Sequence, residues 1–177
     1  MASSASELSP RAREIVAAAR GLLEAEGPEG LSMRRVAERL GIRAPSIYKH
    51  LPDKSALEAA VVSQGFDELA DVFERVLVCA DEPVRAIAVA YREHATGHPH
   101  LYRLMTDRPL ARGRLVEGVE DRAARPLVEA VGGDADAARA LWAFAHGMTI
   151  LELNGRFPAG ADLEAAWAKG VEAFRPG

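Results

Sequence analysis

Between positions 31 and 57 the chain reads LSMRRVAERLGIRAPSIYKHLPDKSAL. Its second half sets Ser46, Tyr48, Lys49 and His50 close together, a hydroxyl, a phenol, an ammonium and an imidazole around the apolar Ile47. Side chains of these types meet base edges and phosphates. Charge points the same way. From Ser32 to Lys54 the bases Arg34, Arg35, Arg39, Arg43, Lys49 and Lys54 face only Glu38 and Asp53, a local excess of four positive charges in a chain of formal net charge −4. One basic patch on an acidic protein suits a DNA-facing surface, because phosphate neutralisation supplies sequence-independent affinity and steering.

Two short helices must position those groups. Ser32 can cap a helix over 33–40, in which Met33, Val36, Ala37 and Leu40 recur at helical spacing and Gly41 supplies a left-handed stop. A second helix begins near Ala44 and runs to His50, with Pro45 tolerated in its first turn and Ile47 turned inward. Two helices joined by so short a turn form a helix-turn-helix, with Leu40, Ile42, Ile47 and Leu51 as shared core and Ala37 small enough for a close crossing.

The segment resembles the DNA-binding domain of the TetR family of transcriptional regulators through Ser32, Val36-Ala37, Leu40-Gly41-Ile42, Pro45-Ser46-Ile47-Tyr48, His50-Leu51, Lys54 and Leu57. The resemblance covers 11 to about 61. Leu51 stands where the family usually has Phe, and Arg43 where Ser or Thr is common; Arg43 gives up a good helix cap and can instead meet a phosphate or base. The resemblance implies that the second helix enters the major groove of double-stranded DNA. Tyr48 and His50 then touch phosphates, Lys49 reads a guanine edge, Ser46 meets a base or the backbone, and Ala44 can meet only a thymine methyl. Lys54 and the helix terminus it opens can share a phosphate. Arg34 joins the contact set, although Arg34, Arg35 and Arg39 can equally be a solvated helix face.

Almost everything else reads as helix. A first helix starts at Ser9-Pro10 and ends before Gly27-Pro28. A long one runs from Lys54 to about Cys79, with Gly65 a possible weak point. Further helices are expected over 83–96, 99–105, 112–131, 135–157 and 163–174, the 112–131 helix kinked at Pro126. The fold class is therefore all-α: a disordered leader at 1–8, a three-helix helix-turn-helix head at 9–55, and a helical bundle at 56–177 for ligand binding and dimerisation.

The C-terminal half also resembles a TetR-family ligand-binding domain with a Trp, His and Gly signature, here Trp142, His146 and Gly147 in LWAFAHGMTILELNGRF. It implies a cavity for a small apolar or aromatic effector, with Tyr91, His94, Tyr102 and Met105 joining Trp142 and His146. The plainer alternative makes Trp142, Phe144 and Met148 ordinary core, with His146 hydrogen-bonded inside it. TetR-like proteins act as homodimers, which places the interface on the last two helices, with Ala143, Ile150, Leu151 and Leu153 on one and Ala165, Ala166, Trp167 and Val171 on the other. A two-fold dimer reads a near-palindromic operator, and the expected role is that of a repressor released by its effector. The different-class alternative is a helical small-molecule or protein-binding scaffold that has lost specific operator binding.

Other chemistries find less support. His94, His98 and His100 suggest a metal site, but Pro99 interrupts the spacing and no cysteine is near, so no metal or cofactor is expected. Glu117, Glu120 and Asp121 read as a charged solvated face, and no phosphate loop, nucleophile elbow or dinucleotide fingerprint marks an enzyme. Cys79 is the only cysteine and is expected as a buried, hydrophobe-like thiol. No apolar run is long enough to span a bilayer and the start MASSASELSP lacks the pattern of a signal peptide, so a cytoplasmic location is expected.

Overall fold

The computed structural model describes residues 8–176, so the expected leader lies, up to residue 7, outside the described residues. Those residues form nine α-helices and no strand: α1 Pro10–Glu26, α2 Met33–Arg39, α3 Ala44–Tyr48, α4 Lys54–Leu77, α5 Pro83–Gly97, α6 Pro99–Thr106, α7 Val119–Ala130, α8 Ala135–Leu153 and α9 Leu163–Val171. The chain divides into two compact units. The first comprises residues up to Gly65 together with His98–Val119, the second Phe66–Gly97 together with Glu120–Gly177. The helix α4 runs through both, and each unit is built from two stretches separated in sequence.

Local signals set the helices of the first unit. Ser9 caps α1 by accepting from the Ala12 N–H at 3.2 Å, Pro10 occupies its first turn, and Gly27 (φ 74°) ends it. Ser32 caps α2 by accepting from the Arg35 N–H at 3.3 Å. At its other end Gly41 adopts φ 65°, and the N–H groups of Gly41 and Ile42 return to the carbonyls of Glu38 and Ala37 at 3.1 and 3.0 Å. That pair of bonds satisfies the last carbonyls of α2 and turns the chain into α3. The recognition segment is shorter than expected. It is helical only to Tyr48, and Lys49 and His50 form a turn closed by the His50 N–H on the Ile47 carbonyl at 2.8 Å. Pro52 disfavours helical geometry at Leu51, which limits any extension. Ile15, Leu23, Leu31, Val36, Ile47, Leu57 and Val61 are almost fully buried in one cluster, and Leu101 of α6 joins it. The helix α4 passes Gly65 without a break. A methyl there would stand 2.7 Å from the Met105 sulfur, so this glycine admits α6.

The second unit packs α5, α7, α8, α9 and the rest of α4 around Phe73, Ile87 and Leu141, each at most 1% exposed. Phe73 stacks on Tyr91 with ring centroids 6.4 Å apart. Phe144 meets Trp167 edge-on at 5.5 Å and Phe174 at 5.9 Å, and Gly170 is the site over which the Phe144 ring lies. Arg122 ties α7 to α4 through Asp67 at 3.0 Å, Asp71 and Glu74 at 3.2 Å. Arg92 ties α5 to α8 through Glu152 at 2.8 Å and to α9 through Glu164.

Four expectations are corrected. The helix foreseen over 112–131 begins only at Val119: Arg112–Arg114 form a single 3-10 turn, Gly118 takes φ 76°, and the Val116 N–H is spent on the Ser63 hydroxyl at 3.0 Å. Pro126, where a kink was expected, lies inside that helix. α8 stops at Leu153 rather than 157, because Gly155 (φ 59°) turns the chain and the Arg156 N–H reaches back to the Leu151 carbonyl at 2.9 Å. α9 ends at Val171, with residues up to Phe174 in a 3-10 turn. Cys79 is exposed, beyond the last turn of α4, not buried.

Candidate nucleic-acid interface

Ile47 is the anchor of the interface. Its side chain is fully buried, so the short helix α3 is held near its C-terminal end, with Ser46 and Tyr48 of the helix and Lys49 and His50 of the following turn exposed. Tyr48 is 49% exposed, so its large ring lies on the surface and not in the core. His50 Nδ1 lies 3.5 Å from the Ser9 hydroxyl, which fixes the ring beside the start of α1. Ala44 is half-buried, and Arg43 is exposed with extended backbone (φ −82°, ψ 140°) and no side-chain cap on α3.

The arginines of α2 separate by neighbour. Arg35 pairs with Glu26 at the end of α1, and the Arg39 guanidinium lies against Gly21 of α1, 3.2 Å from where a β-carbon would be. Both therefore bind the head together. Arg34 remains a surface cation: its side chain is 80% exposed and its Glu38 partner is 3.5 Å away, a pair that costs little to open.

The start of α4 holds a group that sequence reasoning missed. Asp53 accepts from the Ala56 N–H at 2.7 Å and caps the helix. Arg114 Nη1 donates to the same carboxylate, at 2.8 and 2.9 Å from its two oxygens. The Ala56 N–H and then the Arg114 guanidinium hold the Asp53 carboxyl below the usual carboxylate range. An aspartate just before a helix is a readable cap signal; an arginine 61 positions away is not. Lys54 is half exposed, with Glu58 at 3.5 Å.

The proposed effector residues fall in both units. Tyr91, His94, Trp142 and His146 belong to the second and Tyr102 and Met105 to the first. Tyr91 and Tyr102 are buried, Met105 is half-buried, and Trp142 is 52% exposed with the His146 ring 6.4 Å away. Within the second unit a groove of about 270 Å³ lies between α5, α8 and α9 around Arg92, Glu152, Glu164 and Trp167, and none of the six residues lines it. Of the side chains expected at a subunit contact, Trp167 and Val171 are buried within the chain, whereas Ala143, Leu151, Ala165 and Ala166 are exposed. His98 and His100 sit at the end of α1, His98 4.0 Å from Glu24 and His100 over Gly27. Among the described residues no three His, Cys, Asp or Glu side chains converge as metal ligands, and no helix is long and apolar enough to cross a membrane.

Residues 15–61 match the family model described as bacterial regulatory proteins, tetR family. Residues 84–174 match the one described as tetracyclin repressor-like, C-terminal domain. An HTH-type transcriptional regulator of Mycobacterium tuberculosis, itself uncharacterised, is 32% identical over 151 residues, covering 80% of this chain and 69% of that protein. An HTH-type transcriptional repressor of Streptomyces coeruleorubidus is 34% identical over 110 residues, 60% of this chain and 39% of its own length. The solved structure of a protein with unknown function from Rhodococcus sp. RHA1 is 26% identical and superposes with a TM-score of 0.78 over 94% of each chain. With its helix-turn-helix and its C-terminal helices each matched, the chain belongs to the TetR family of bacterial transcriptional regulators.

Proposed function

We propose that the protein binds a near-palindromic operator as a homodimer, represses from it, and leaves it when a small apolar or aromatic effector binds. The observation that carries the DNA side is the exposed set of Ser46 and Tyr48 on a helix pinned by the buried Ile47, continued by Lys49 and His50 in the turn that follows. A helix so held can enter the major groove without rearranging, with Lys49 on a guanine edge, Tyr48, His50 and Lys54 on phosphates, Ser46 on a base or the backbone, and Arg34, Arg43 and Ala44 at the margin.

The dimer is supported by the outer face of α8. Leu151, one turn from Gly147, is 41% exposed, and Gly147 has open space where a side chain would be. A large apolar side chain beside an uncrowded glycine suits a second copy of the same helix. The repressor reading follows the relative from Streptomyces coeruleorubidus, which bears that name. The effector reading rests on family resemblance and on Tyr91, His94, Tyr102, Met105, Trp142 and His146. Whatever the effector, it must bind the DNA-incompetent state more tightly than the competent one.

The test is selection from a random duplex pool with purified protein. A shared near-palindrome should emerge, and Lys49→Ala should weaken its binding by about 1–3 kcal/mol while changing binding to scrambled DNA much less. No enriched sequence, or equal loss on both DNAs, would remove the operator reading. Ligands that release the selected operator then identify the effector class.

A further inference from the structure

The stretch between α6 and α7 carries Arg108, Arg112 and Arg114 against Asp107 and Glu117. It lies outside the matched DNA-binding residues 15–61, yet it belongs to the first unit, with the helix-turn-helix. Two bonds lay it along the beginning of α4: Arg114 Nη1 on the Asp53 carboxylate at 2.8 and 2.9 Å, and the Val116 N–H on the Ser63 hydroxyl at 3.0 Å. Asp53 directly follows the Lys49–Pro52 turn and directly precedes Lys54, so Arg114 stands beside the residues assigned to DNA.

The chemistry of that position is specific. A bare carboxylate beside Lys54 would repel a phosphate. Arg114 cancels it with one nitrogen only, while its Nε and Nη2 hydrogens meet no protein acceptor among the described residues and its side chain is 47% exposed. A guanidinium presents two donor edges in a fixed plane, so one can hold Asp53 while the other serves a phosphate oxygen. We propose that Arg114 is a DNA phosphate contact, by which a residue from the C-terminal half of the sequence extends the interface of the helix-turn-helix. The inference rests on the operator-binding reading for the orientation of the duplex, but its measurable consequence is a phosphate contact on any sequence.

Binding of the full chain is measured across a salt series, on the selected operator and on a random-sequence duplex, for wild type, Arg114→Gln, Arg114→Lys and Asp53→Asn. Each lost phosphate contact reduces the slope of log affinity against log salt by about 0.9, or about 1.8 for the two copies in a homodimer, so over a fourfold rise in salt the wild type should lose about 12-fold more affinity than Arg114→Gln. Arg114→Lys should keep most of the slope. Asparagine still caps α4, so Asp53→Asn should bind both duplexes at least as tightly as wild type. A wild-type slope in Arg114→Gln, or an Asp53→Asn variant as impaired as Arg114→Gln, would reduce Arg114 to a brace for Asp53 and overturn the proposal. If no operator is selected but the slope change appears on the random duplex, the operator reading falls and the phosphate contact stands; a wild type that binds neither duplex removes both.

Discussion

Gly65 shows how much one missing atom can decide. A β-carbon there would stand 2.7 Å from the Met105 sulfur and 3.0 and 3.1 Å from the Leu101 methyls, and Leu101 is fully buried in the core of the first unit. Gly65→Ala gains about 1 kcal/mol of helix propensity but forces overpacking that costs about 1–3 kcal/mol. The thermal midpoint should therefore fall, and adding Met105→Ala should restore part of the loss; an unchanged or higher midpoint for the single variant would show that α6 yields freely. The sequence showed Gly65 only as a possible weak point, because the reason for it lies 36 and 40 positions away at Leu101 and Met105. Ser32 and Ile47 were legible because cap and inward position are set by immediate neighbours. Arg35 and Arg39 were ambiguous until α1 supplied Glu26 and Gly21 as their seats.

Helix ends follow the same division between near and far. Gly27, Gly41 and Gly155 stop helices through positive φ; the first two stops were anticipated, while α8 was expected to run on past Gly155 to 157. The start of α7 was missed although Gly113 and Gly118 weaken any helix over 112–118, and the bond that holds this stretch, to Ser63 of α4, comes from 53 positions away. The helix α3 carries its own compromise. Arg43 has the extended backbone of an N-cap without a capping side chain, so Arg43→Ser should stabilise the head by about 0.5–1 kcal/mol. The same change removes a cation beside the recognition helix, and operator affinity should drop with a shallower salt dependence. Thermal unfolding and DNA titration on one preparation check both; a variant that gains no stability, or binds DNA as well as the wild type, would sever cap from contact.

At the scale of the whole molecule the chain passes from one unit to the other near positions 65, 97 and 119. A cut near 65 therefore divides the first unit, one near 119 divides the second, and one near 97 divides both. Residues 8–65 contain the complete helix-turn-helix but lack Leu101, whose burial contributes roughly 2–3 kcal/mol, and lack the Leu101 N–H bond to Glu24 at 3.3 Å. That fragment should unfold at a lower temperature than the same helices in the full chain, followed by circular dichroism; equal stability would show that α6 is not structural to the head. The all-helical class and the helix-turn-helix were legible in periodicity, caps and the family motif. The return of 98–119 to the first unit was not, since long-range docking leaves no periodic trace.

Cys79 gives the molecule a ready optical address. It is the only cysteine in the 177 residues and it is exposed, just past the end of α4 opposite Lys54. A maleimide fluorophore or nitroxide will attach at one site without engineering. In a two-copy assembly the labels form one pair, so each state of the regulator reports itself as a single distance.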